Sequence, residues 1–86
     1  MAAIDKSRGG LGEPAVHAEA VTPSDADELT TVSRALFVGG AGNVAVVMLA
    51  GDAVTFAGVT AGSFLPIRVK QVKSTDTTAT LILNLY

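Results

Sequence analysis

Residues 34–56, RALFVGGAGNVAVVMLAGDAVTF, constrain the fold more than any other stretch of this chain. Three apolar runs rich in Val, Leu and Phe are separated by a glycine cluster and by a Gly-Asp pair. β-Branched side chains lose rotamer freedom in a helix, and glycine supplies the positive φ that tight turns use. The stretch therefore reads as a β-meander, with Gly39, Gly40 and Gly42 allowing a sharp reversal and Gly51 opening a two-residue hairpin turn with Asp52. Arg34, Leu36 and Val38 alternate with Ala35 and Phe37, whereas residues 44–49 are apolar at every position. A run apolar on both faces has to be covered on both, as a central strand or at a subunit contact.

Size sharpens that point. A chain of 86 residues makes one domain, and at this mass a monomer buries only roughly 60% of its unfolded surface. Yet 49% of the residues are hydrophobic and the mean hydropathy is +0.47, more apolar surface than so small a core can hide. A homo-oligomer is the expectation. With no cysteine there is no disulfide framework. The longest apolar run, residues 44–50, is far short of the ~20 residues of a membrane helix, so no membrane span is expected. Nor does the amino terminus, with Asp5, Lys6 and Arg8, show the apolar core of a secretory signal. A formal charge of −2 gives no basic footprint for nucleic acid.

The chain divides into an extended arm over residues 1–20, rich in glycine and without sustained periodicity, and an all-β domain over residues 21–86. Such an arm is expected to order, if at all, by lying across a neighbour in an assembly. Thr22-Pro23-Ser24-Asp25 predicts one helical turn, with Thr22 as its N-cap. Asp25, Asp27 and Glu28 then form an acidic cluster, read as a solvated cap. A calcium loop would need a glycine at its sharp turn and a distal bidentate Glu, and both are missing. Arg68, Lys70 and Lys73 form the basic counterpart. Lysines of this kind guard sheet edges, and the alternative is a charged seam against Asp25, Asp27 and Glu28 of a neighbouring copy.

Two strands complete the pattern. Ile67 and Val69 alternate with Arg68 and Lys70, then Val72 falls on the charged parity, so a bulge near Lys70-Gln71 is predicted. The last strand sets Leu81, Leu83 and Leu85 against Ile82, Asn84 and Tyr86. Leu36, Val38, Val44, Val46, Val69, Leu83 and Leu85 are expected to build the core or the subunit contact. Tyr86 would fill a gap between copies or touch a ligand.

Catalytic sets are missing from this reading. Residues 40–45 match G-x-G-x-x-A, but the residues after the match are β-branched rather than helix-forming, and Asp52 comes too early for a ribose partner about 20 residues on. His17 sits in the arm, no G-x-S-x-G occurs, and the paired carboxylates have nothing apolar near them to raise a pKa. The expectation is a non-enzyme without cofactor or metal.

Four strings carry a resemblance: Val21-Thr22-Pro23-Ser24-Asp25; Arg34-Ala35-Leu36-Phe37-Val38-Gly39-Gly40-Ala41-Gly42; Gly51-Asp52-Ala53-Val54-Thr55-Phe56; and Leu65-Pro66-Ile67-Arg68-Val69. Together they resemble the spike-base proteins of gene transfer agents and related tailed phages and prophages, over residues 21–86. The sequence departs from that pattern at Asn43, where Asp is usual, Val32, where Pro is common, and Asp76, where Gly is common. The resemblance implies a small antiparallel β-sandwich or barrel-like domain, made in the bacterial cytoplasm and built into the particle. It implies a ring of five copies on capsid protein at the fivefold vertices, holding a separate host-binding spike or fibre. On that reading Arg34 and Arg68 are candidates for ion pairs with a second copy or a partner, and Lys70, Asp25, Asp27, Glu28 and Tyr86 are further contact candidates. A tail or baseplate adaptor and a small carbohydrate-binding β module are the alternatives.

Overall fold

The computed structural model describes residues 15–86, so most of the expected arm lies outside the described residues. Those residues form seven strands and no helix: β1 (Ala18–Ala20), β2 (Ala35–Gly40), β3 (Gly42–Met48), β4 (Ala53–Val59), β5 (Ser63–Leu65), β6 (Val69–Val72) and β7 (Thr80–Leu85). They pair antiparallel in two sheets, ordered β1-β7-β2-β5 and β4-β3-β6. The fold is the all-β sandwich expected. Leu36, Val38 and Ile82 from the first sheet meet Val44, Val46, Val69 and Val72 from the second in one buried cluster.

The glycine cluster does not make a hairpin. β2 and β3 are not partners; the chain crosses from one sheet to the other through Ala41. Gly39 and Gly40 lie inside β2 and outside the left-handed region. Their role is close approach: a Cβ on Gly39 would stand 2.9 Å from Leu81 Cβ, and one on Gly40 1.8 Å from Thr80 Oγ1. Gly42 forms the corner itself, at φ 154°, where a Cβ would stand 2.5 Å from the backbone nitrogen of Ala79 and 2.7 Å from the carbonyl carbon of Thr78. Asn43 fastens this corner. Its carbonyl accepts from the N–H groups of Thr78 (2.9 Å) and Ala79 (3.1 Å), and its own N–H donates to Thr78 Oγ1 at 2.8 Å.

The hairpin between β3 and β4 is present, with a longer turn than Gly51-Asp52 alone. Residues 49–52 form it: Gly51, at φ 105°, donates to the Met48 carbonyl at 2.8 Å, and Met48 donates to the Asp52 carbonyl at 2.7 Å. In β6, Val46 faces Val72, Val47 faces Gln71 and Met48 faces Val69, which leaves Lys70 as the unmatched bulge residue. The extra residue puts Val69 and Val72 on the same buried face.

β7 runs with the opposite parity to the one its leucines suggest. Ile82 faces Val38 and Asn84 faces Leu36, and both are buried, at 3% and 0% exposure. Leu83 and Leu85 are half-buried on the outer face and Leu81 is 77% exposed, so their expected place in the core falls to Ile82 and Asn84. The physical reason is a hydrogen bond. Asn84 Nδ2 donates to the Thr31 carbonyl at 2.9 Å, which lets an amide occupy a site that hydrophobicity alone assigns to leucine. Inside the stretch expected to be arm, β1 pairs with β7, and the Val16 and His17 N–H groups donate to the Tyr86 carbonyl. Ile82→Ala is expected to lower unfolding free energy by about 2–5 kcal/mol, and Leu81→Ala to change it by less than about 0.5 kcal/mol. Urea denaturation of the two variants checks this, and the reverse ranking contradicts the parity.

Candidate interaction surface

Antiparallel sheets that face water on one side usually carry polar residues there. The outer face of the first sheet does not. Register places Phe64 beside Phe37, Phe37 beside Leu83, and Leu83 beside Ala20, an apolar row that runs across all four strands. Leu85 lies between Ala35 and Ala18 in the adjacent row, and Leu81 stands near Gly39. Phe64 is 59% exposed. Full burial of a Leu or Phe side chain contributes about 1.5–3 kcal/mol, so this face has more to gain from a partner than any charged group nearby.

Leu81 adds strain to exposure. It has φ 54°, in the left-handed region, where an L-residue with a bulky side chain costs roughly 1–2 kcal/mol. The strand adopts this conformation beside Gly39, whose missing side chain leaves room for the Leu81 Cβ.

The acidic and basic groups meet within one chain. Lys70 Nζ lies 4.0 Å from Glu28 Oε2, with both side chains about a third exposed, a pair contributing at most about 1 kcal/mol. Asp25 does more. Its Oδ1 accepts from the N–H groups of Ser74 and Thr75, both at 3.0 Å, and its Oδ2 accepts from the Thr75 hydroxyl. The predicted helical turn is replaced by a hydroxyl-capped loop, in which Ser24 Oγ accepts from the N–H groups of Ala26 at 3.2 Å and Asp27 at 3.1 Å. The cap is therefore Ser24, because the backbone ahead continues along β6 instead of coiling: Ser24 N–H donates to the Val72 carbonyl at 2.9 Å and Leu29 N–H to that of Lys70 at 2.8 Å.

Of the remaining candidates, Tyr86 stacks on His17 at 5.2 Å between ring centroids. Arg34 and Arg68 are half-buried at the start of β2 and just before β6. Arg34 N–H donates to the Leu85 carbonyl, and the Arg68 carbonyl accepts from Leu49. A hollow of about 190 Å³ lies on the second sheet between β3, β4 and the 73–76 turn, lined by Val54, Thr55, Lys73 and Asp76 among others. It is small for a ligand site, which usually spans roughly 300–1,000 Å³, and no aromatic ring lines it for a sugar to stack on. Sequence reasoning missed the outer apolar row, because its signal is the parity of β7. Asn84 obscured that parity.

One solved structure decides the family. A chain described as "Capsid of native GTA particle computed with C5 symmetry" superimposes with a TM-score of 0.82 at 37% identity, covering 94% of each chain. This chain belongs to that family of gene-transfer-agent structural proteins. No protein-family model matches it, and no curated protein does. In the turn after β6, hydrogen bonds from Thr75 and Ser74 hold the Asp25 carboxyl below its ordinary value of 3.8. A carboxyl lowered in the folded state stabilises fully above its ordinary value, and the contribution disappears as pH falls through the lowered one. Asp25→Asn should therefore destabilise the protein near neutrality and converge with the wild type in acid. A stability gap between the two that is independent of pH, measured by urea denaturation, contradicts the assignment.

Proposed function

We propose that this chain is a non-catalytic building block of the particle, forming a ring of five copies at the fivefold vertices that seats a separate host-binding spike or fibre. The observation that carries the reading is the 37% identity over 94% of both chains to a protein of a capsid computed with C5 symmetry. The apolar row of Phe64, Phe37 and Leu83 supports it, because surface of this kind is covered in assemblies. The division into an N-terminal arm and a ring-forming domain belongs to the same proposal, with the boundary drawn ahead of residue 16, because Val16, His17 and Ala18–Ala20 bond to the carboxyl-terminal strand of the same chain. Arg34, Arg68, Lys70, Asp25, Asp27, Glu28 and Tyr86 are the polar groups from which contacts with copies or partners are drawn.

Native mass spectrometry of the purified chain tests the ring, and a pentamer is expected. A stable monomer across the accessible concentration range contradicts the ring, and a trimer or hexamer moves the protein to the tail. Glycan binding by a monomer would instead make it a carbohydrate-binding module.

A further inference from the structure

The two sheets leave open edges of very different character. β6 is closed on its outer side by residues 24–33, whose Ser24, Leu29 and Ser33 N–H groups donate to the Val72, Lys70 and Val69 carbonyls. β5 has three residues and is followed by an exposed Pro66, and β1 has three residues with Glu19 at its centre. Short length, proline and charge are the devices that limit stray pairing, and they leave β1, exposed at all three residues, open to one specific partner strand. β4 has none of them. It runs seven residues as AVTFAGV, without a charge or a proline, and it ends its sheet.

The side chains of β4 say the same as its backbone. Val54 and Phe56 lie opposite Val46 and Val44, whose side chains are fully buried, so both point into the sandwich. Yet Val54 is 41% exposed and Phe56 only half-buried. Among the described residues no segment covers this side as residues 24–33 cover β6. The open side asks for an extended backbone that supplies N–H and C=O groups, together with small side chains.

Closure decides which strand that is. Pairing β4 with β4 of a second copy uses the same patch twice, which is two-fold and stops at a dimer. A five-membered ring needs two different patches on each copy. β5 follows β4 after the short link 60–62, so it shares this end of the molecule, whereas β1 stands at the opposite end of its sheet from β5. We propose that β4 of each copy receives β1 of the next as an added strand, joining copies head to tail and completing the partly open core. This rests on the ring reading above and adds the surfaces that build it.

The chain contains no cysteine, so engineered pairs report this contact without background. In the full-length chain, each of Ala18→Cys, Glu19→Cys and Ala20→Cys is combined with Val54→Cys or Thr55→Cys, which samples both faces of each strand. All five positions are exposed, and paired strands bring Cα atoms within disulfide range. On mild oxidation at least one combination should give a ladder ending at a covalent ring, while single-cysteine variants stay uncrosslinked. A disulfide dimer formed by Val54→Cys or Thr55→Cys alone overturns the proposal in favour of two-fold pairing. Oligomers by native mass spectrometry with no crosslink in any combination overturn it while leaving the ring intact. A monomer throughout removes both.

Discussion

The backbone of residues 78–79 passes so close to Gly42 that no side chain can stand there, and the arrangement of the two sheets depends on that contact. Because the corner carries no Cβ, a single extended segment changes sheets between β2 and β3 without a loop. Asn43 then ties the crossing on two sides, accepting from Thr78 and Ala79 and, through its Oδ1, from the Gly58 N–H at 3.0 Å. The crossing brings Leu36 and Val38 of one sheet over Val44 and Val46 of the other, and these four side chains are wholly buried. The glycines Gly39 and Gly40 extend the close approach along β7.

A core made this way is economical in length and incomplete in coverage. The interior is filled largely by valines, while larger apolar side chains, Phe64 and Leu81, are left on the surface. Partly exposed, each forgoes a share of the about 1.5–3 kcal/mol of full burial, and Leu81 keeps a costly backbone angle as well. By comparison the ion pair of Lys70 with Glu28 is partly exposed and weak. The apolar surface and the open β4 edge thus have more to gain from a partner than the charged groups do.

Much of this was legible in the sequence. The β class, the burial of Leu36, Val38, Val44, Val46 and Val69, and the bulge at Lys70 all come from alternation and from where it breaks. The rest depends on contacts distant in the chain. Glycines that permit a reversal and glycines that permit another strand to approach look the same in a sequence, and only Thr80, Leu81 and Ala79 lying against them distinguish the two. The parity of β7 was misleading for a similar reason: three leucines outweigh one isoleucine and an asparagine until the Thr31 carbonyl supplies the amide with a partner. Likewise Thr22-Pro23-Ser24-Asp25 has the local chemistry of a helix start. The carbonyl of Val72, far along the chain from Ser24, captures its backbone instead.

The apolar surface left outside this domain calls for contact with other subunits to cover it. Hydroxyl-radical footprinting at Phe64 and Leu81, on the purified chain at high dilution and on the assembled particle, tests it most directly. Strong labelling of both side chains in the dilute chain and marked protection in the particle is the predicted result. Equal labelling in the two states would mean that the face stays in water, and the account would fail there.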